Sequence, residues 1–227
     1  AIQFSGRLSY HFYNEPLLRL DLELLAARAA ESVPGALQIL YTNGDRLTDE
    51  RYQALRRAGI DYFVVTQHDN DSYVDRPFQT VQTGEALVLT NRGGVVDGLP
   101  EPATHVGTLP CYAPSEMLIV TVTGDVVLCY EDARRETVMG NILLETIDVI
   151  WRSERFSALR RALALGRRQV LPMCQSCSNT AHVEPGRSVV DEPLAFDRRG
   201  GHIGRDELKE RASLARVELL RKPPQGR

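Results

Sequence analysis

Residues 36–66 read ALQILYTNGDRLTDERYQALRRAGIDYFVVT, and this stretch decides the fold. Residues 36–41 are a short apolar run that ends at the turn residues Thr42-Asn43-Gly44, so they read as a strand. Thr48-Asp49-Glu50 can cap a helix whose inner face carries Tyr52 and Leu55, and Gly59 closes it. Residues 61–66, with Tyr-Phe-Val-Val in the middle, form the next strand. Strand, helix and strand in so short a span predict a parallel pair with a right-handed crossover.

Working outward, residues 2–12 alternate as another strand, with Leu8, Tyr10 and Phe12 set against Arg7, Ser9 and His11. Asn14-Glu15-Pro16 then opens a helix with Leu18, Leu22, Leu25 and Ala29 on one face, stopped by Pro34-Gly35. The class is therefore α/β with a parallel sheet, and such sheets place ligands at the carboxyl ends of their strands. Asn14-Glu15, Thr42-Asn43-Gly44 and Thr66-Gln67-His68 all fall there.

Downstream, residues 69–84 are polar and turn-rich and read as a loop, and 86–90 read as a strand before Asn91-Arg92-Gly93-Gly94. The character changes after Pro100, Pro102 and Pro110. Residues 117–122 and 126–130 are two strands joined at Thr123-Gly124-Asp125, a hairpin signal that places Cys129 in its second strand. Ile147, Ile150, Trp151, Phe156, Leu159 and Leu163 make one helical stripe ended by Gly166. Beyond about residue 185 the chain is charged, and 206–220 reads as a solvated helix.

The 227 residues are 43% hydrophobic and 25% charged with a net charge of −3, which is ordinary for a globular protein. That balance gives no reason to expect a nucleic acid or an anionic membrane as partner. No apolar run approaches the roughly 20 residues of a membrane span, and no secretory leader is visible. The expectation is a cytoplasmic protein, where thiols serve as metal ligands more often than as disulfides.

The chain has four cysteines: Cys111, Cys129, Cys174 and Cys177. The last two form a C-x-x-C, whose spacing lets both sulfurs turn toward one ion or cluster, and the intervening hairpin can bring in the first two. Four thiolates suit zinc or an iron–sulfur cluster. A zinc ribbon would have two C-x-x-C knuckles, and Cys111/Cys129 is not one, which favours iron–sulfur without removing zinc. Elsewhere, Glu15 can hold a ligand's ammonium group or simply meet a helix dipole. Arg92 can present its fork to a ligand or be an ordinary loop arginine. Glu131 and Asp132, just after Cys129, can face a substrate or solvent. The five histidines show no metal spacing.

Several stretches together resemble one family. Phe4-Ser5-Gly6-Arg7 running into His11-Phe12-Tyr13-Asn14-Glu15-Pro16 is similar to the second barrel strand of radical S-adenosylmethionine (radical SAM) enzymes, with Tyr-Asn-Glu-Pro in place of Gly-Gly-Glu-Pro. Tyr41-Thr42-Asn43-Gly44 and Val65-Thr66-Gln67-His68 look like the next two strand ends. Asn91-Arg92-Gly93-Gly94, the Gly124-x4-Cys129 hairpin, Met139-Gly140-Asn141-Ile142, Ile150-Trp151 and Cys174-x-x-Cys177 resemble the SPASM/twitch auxiliary-cluster module, in its shortened four-cysteine form. The resemblance implies a partial parallel (β/α) barrel of radical SAM type over 1–98, a twitch/SPASM hairpin-plus-helix cluster domain over 99–184, and a charged tail over 185–227.

Carried over by position, the resemblance implies an auxiliary [4Fe–4S] cluster on Cys111, Cys129, Cys174 and Cys177. It implies S-adenosylmethionine near Glu15, Thr42, Asn43, Thr66 and Gln67. Tyr13, Arg92, Tyr130 and Glu131 would line the substrate pocket, with Arg92 contacting the hydroxyl being oxidised. The family chemistry is cleavage of S-adenosylmethionine by a second, reduced [4Fe–4S] cluster, then loss of a hydrogen atom, a proton and an electron from a carbinol. The implied product is the ketone of an aminocyclitol, in aminoglycoside-type antibiotic biosynthesis, with flavodoxin or ferredoxin as electron donor. Peptide modification and a non-catalytic electron carrier are the alternative readings. The family's C-x3-C-x2-C would precede Ala1, so the expectation is an N-terminally truncated chain that does not cleave S-adenosylmethionine as it stands.

Overall fold

Four strands, β1 (Arg7–Ser9), β2 (Leu37–Thr42), β3 (Tyr62–Gln67) and β4 (Gln79–Thr83), lie side by side in chain order, each parallel to the next. The computed structural model describes residues 4–68, 74–83, 89–99, 106–185, 196–197, 201–202 and 205–221. Contacts divide the chain into two units, residues 1–87 with 192–227, and residues 88–191. The boundary expected at 98/99 and the separate tail expected over 185–227 differ from this division.

In the first unit, side chains alternate across the sheet. Leu40, Phe63 and Val65 pack beneath α1 (Leu22–Ser32) and α2 (Asp49–Ala58), against Leu22, Ala26, Tyr52 and Leu55. Leu37, Ile39, Tyr62 and Val64 form the opposite cluster with Leu208. That contact corrects the expectation of a solvated terminal helix. Leu208 and Ala212, on the helix Arg205–Arg221, are buried. α2 follows its sequence signals: the Thr48 hydroxyl accepts from Arg51 N, and Gly59 closes the helix at φ +119°.

Three further expectations change. The first strand is shorter than 2–12 because the Asn14 side chain accepts from Phe12 N and donates to Tyr10 O, which turns the chain. The helix does not run from Leu18. Pro16–Leu18 form one 3₁₀ turn, the chain extends at Arg19, and Arg51 donates to the carbonyls of Leu17 and Arg19. The loop expected over 69–84 contains β4, whose polar residues gave no apolar signal but whose backbone continues the β3 ladder. The strand expected over 86–90 falls largely outside the described residues.

The second unit contains α3 (Ala113–Glu116), an antiparallel sheet of β5 (Ile119–Val120), β6 (Asp125–Val127) and β7 (Val138–Asn141), then α4 (Ile147–Arg152), α5 (Glu154–Ala164) and α6 (Pro172–Ser176). The hairpin at Thr123-Gly124-Asp125 forms, but both strands are short. Cys129 lies past β6 instead of within it, because the register slips at Val126/Val127 and Asp132 N folds back to Cys129 O. The helical stripe breaks at Ser153, which ends α4 and caps α5 through its hydroxyl. Its inner residues still share one core, with Ile150, Phe156 and Leu163 against Val126, Leu128 and Met139. No helix among the described residues is long and apolar enough to cross a membrane.

The first unit is tied at one point by Arg56, which is 2% exposed. Its guanidinium donates to the carbonyls of Ile60 (2.5 Å), Asp61 (2.9 Å) and Ala212 (3.1 Å) and lies 4.4 Å over the Phe78 ring. Arg56→Met keeps the apolar stem and strands these acceptors. It should lower the unfolding free energy by about 2–4 kcal/mol, read as a lower urea midpoint with unchanged slope.

Candidate functional site

Burial governs the four cysteines. Cys129, Cys174 and Cys177 are buried, Cys111 is half-buried, and none is in a disulfide. They come from three places: the segment before α3, the turn after β6, and α6 with the residue that ends it. Backbone bonds fix each place: Cys111 N donates to Leu163 O (2.9 Å), Asp132 N to Cys129 O (3.2 Å), and Cys174 N to Leu171 O (3.0 Å). All four line one cavity, with Leu128, Leu163, Met173 and Arg168 also in its wall. Removal from water pushes the thiols up, Cys177 to about 11, Cys174 to about 12 and Cys129 well above its ordinary value, and the thiols raise one another. Four soft donors that resist ionising without a cation fit a group bringing its own positive charge. Asn179 N donates to Cys177 Sγ at 3.4 Å.

Beside this cavity lies a polar one, walled by Arg92, Gly93, Gly94, Glu131, Asp132, Arg134, Glu136 and Ser176. Glu131 and Met173 belong to both walls. Glu131 is buried at 3%. Its carboxylate accepts from Thr90 Oγ1 (2.9 and 3.0 Å) and Asn179 Nδ2 (2.7 Å), and it pairs with the Arg92 guanidinium at 3.4 Å. Asn179 Nδ2 also donates to the Tyr130 hydroxyl, whose phenol burial pushes upward. Asp132, the third candidate of this run, is spent on structure, accepting from Glu136 N and Thr137 N at 2.9 Å.

The Arg92 loop is clasped to the C-x-x-C segment. Asn91 Nδ2 donates to Ser176 O (2.6 Å), Asn91 N donates to Ser178 Oγ (2.9 Å), and Ser178 N returns to Asn91 Oδ1 (3.0 Å). Arg92 sits at φ +49°, and Gly94 at φ +88° leaves no room for a Cβ, which would meet Ser176 Cβ at 2.9 Å.

In the first unit, Glu15 is held at the carboxyl end of β2. Its carboxylate accepts from Thr42 Oγ1 (2.7 Å), Asn43 N (2.8 Å) and Leu17 N (2.8 Å). The last bond is the helix-end role weighed against ligand binding, so Glu15 caps and is preorganised at once. Thr66 and Gln67 end β3, beside the end of β2 in the same sheet. Tyr13 is half-exposed at φ +50°, with its ring edge-on to Phe12.

The sequence reading missed Thr90, Asn179 and Arg168. Asn179 could have been suspected from its place two residues past the C-x-x-C. Arg168 follows Arg167 and looks like surface charge, yet it is 1% exposed.

Residues 111–178 match the SPASM iron–sulfur cluster-binding domain. The chain belongs to the radical SAM enzymes that carry such a SPASM or twitch domain behind a parallel α/β sheet. Within that class it is 38% identical over 192 residues to the S-adenosyl-L-methionine-dependent 2-deoxy-scyllo-inosamine dehydrogenase of Niallia circulans, across 80% of this chain and 76% of the relative. It is also similar to the crystal structure of BtrN in complex with AdoMet and 2-DOIA (TM-score 0.73, 36% identity, 82% of this chain and 78% of that one). An open conformation of BtrN gives a TM-score of 0.68 at 34% identity, over 82% and 77% of the two chains.

Asn91→Ala removes the two side-chain bonds that clasp the Arg92 loop to Ser176 and Ser178 and leaves the Asn91 N bond to Ser178 Oγ. At about 1 kcal/mol per hydrogen bond, it should destabilise the protein by about 2 kcal/mol. Hydrogen exchange should speed up in Ser176 and Ser178 ahead of β6 and β7.

Proposed function

We propose that this protein is a dehydrogenase of the radical SAM type that oxidises a secondary alcohol of an aminocyclitol to the ketone. The observation that carries this reading is the wall shared by two cavities, one lined by four cysteines and one by Arg92 and Glu131. Oxidising a carbinol removes one hydrogen atom, one proton and one electron, so a site for the proton and a site for the electron are needed side by side. In this reading Cys111, Cys129, Cys174 and Cys177 hold a [4Fe–4S] cluster, and Glu15, Thr42, Asn43, Thr66 and Gln67 hold S-adenosylmethionine. When bound, the cluster supplies a one-electron acceptor, and S-adenosylmethionine with a second [4Fe–4S] cluster supplies the hydrogen-atom abstractor.

The chain's own residues do the rest. An ionised carboxylate has about four lone-pair positions, and Glu15 gives three to Thr42, Asn43 and Leu17, which leaves one for a ligand ammonium group. Arg92 directs its fork at the alcohol oxygen and fixes which hydroxyl is presented. Glu131, held from below by Thr90 and Asn179, balances the Arg92 charge and can take up the proton. Tyr13 and Tyr130 give the substrate ring apolar faces with polar edges. The electrons come from a small donor protein such as flavodoxin or ferredoxin, in the reducing cytoplasm where thiols and clusters persist.

Protein purified without oxygen should contain iron and acid-labile sulfide in equal amounts, and replacing any of the four cysteines by serine should lower both. Zinc without sulfide would sink the cluster assignment. With reductant, S-adenosylmethionine and 2-deoxy-scyllo-inosamine, the complete gene product should form the ketone and 5′-deoxyadenosine. Arg92→Lys keeps the charge but loses the planar fork, and should cut ketone formation by tenfold or more while 5′-deoxyadenosine still forms. Equal ketone yields from the two proteins would refute the role given to Arg92.

A further inference from the structure

Arg168 lies on the 3₁₀ turn Arg168–Val170, fully buried, in the wall of the four-cysteine cavity. Its guanidinium donates Nε–H to Leu109 O (2.9 Å), and its two terminal nitrogens donate to Pro110 O (3.0 Å) and Asn179 O (3.4 Å). Leu109 and Pro110 lead directly into Cys111, and Asn179 stands two residues beyond Cys177. One side chain therefore grips the two segments that carry the first and last cysteines.

These partners are neutral carbonyls, which satisfy the donors and leave the charge unbalanced. A buried cation is costly unless an anion lies near. The groups that share its cavity are the four cysteines and the Glu131 carboxylate, and an anionic group held by those cysteines would lie in the same wall. In a dry, low-dielectric wall these charges are weakly screened.

We propose that Arg168 is the counter-cation that sets the reduction potential of the group held by Cys111, Cys129, Cys174 and Cys177. The inference rests on the cluster assignment made above. A four-thiolate cluster is anionic, and reduction adds one electron without breaking a bond, so it adds one negative charge. A fixed positive charge in the wall stabilises the reduced form more than the oxidised one and raises the potential. Arg168 is thus a positioning residue, acting on the substrate's last electron only through the cluster's readiness to accept it.

The test is a potentiometric titration with dithionite, followed by electron paramagnetic resonance, on anaerobically reconstituted wild type, Arg168→Met and Arg168→Lys, with iron and sulfide counted in each. The potential should fall in Arg168→Met and stay near the wild-type value in Arg168→Lys, which keeps the charge and loses the fork. Loss of the cluster in Arg168→Met alone, with Arg168→Lys loaded at the wild-type potential, would also support the assignment. Three equal potentials would overturn it. A fall in Arg168→Lys as large as in Arg168→Met, or loss of the cluster in both, would also overturn it and make Arg168 a clamp only. Wild type without iron and sulfide would instead refute the cluster assignment on which the inference stands.

Discussion

Four thiols pressed against an apolar core set the terms for the second unit. Each resists ionising there because a thiolate loses its water, and each makes the next harder to ionise. Such a cavity is compatible with an electropositive group that all four can share. The surrounding structure serves that end. A short antiparallel sheet presents Cys129 just past a strand, α5 anchors Cys111 through Leu163 O, and α6 supplies the C-x-x-C. The hydrophobic cluster that includes Cys129 and Cys174 also includes Ile150, Phe156 and Leu163. The stability of this unit and the geometry of its ligands are therefore the same packing problem.

Polar residues are economical around that cavity. Glu131 takes four contacts from Thr90, Arg92 and Asn179, so both oxygens of this buried carboxylate have partners. Asn179 spends its amide on Glu131 and Tyr130 and its backbone N–H on Cys177 Sγ. It therefore touches both the thiol side and the carboxylate side of the shared wall. Asn91 performs a different task, locking the loop that carries Arg92 onto the segment that carries two cysteines. Preorganisation of this kind suits a reaction in which several particles must leave one carbon in order.

The first unit solves a simpler problem. A parallel sheet brings strand ends together, and Glu15 is fixed there by a hydroxyl and two backbone amides before any ligand arrives. The same unit carries a buried polar knot at its opposite strand ends. Asp61 accepts from Gln38 N (2.9 Å) and Lys209 Nζ (2.6 Å), and Arg56 caps neighbouring carbonyls. That knot explains why the terminal helix packs onto the sheet and not into solvent, with Leu208 and Ala212 as its buried residues.

The sequence alone determined the α/β class, the parallel order of its first three strands, the cap and stop of α2, and the four cysteines as one set. These are signals carried by local periodicity, by Gly and Pro, and by residue types with few other uses. It also marked Glu15, Thr42, Asn43, Arg92 and Glu131, because motif positions survive in one dimension. Tertiary structure alone decided that polar Gln79–Thr83 is a strand, since only pairing with β3 gives it a ladder. It alone placed Cys129 outside β6, through a register slip that leaves no mark in composition. It also turned Arg168, one charge in a run of charges, into a buried cation facing thiols. A side chain's electrostatic meaning depends on what surrounds it in three dimensions, and for the four cysteines those surroundings are assembled from segments far apart in the chain.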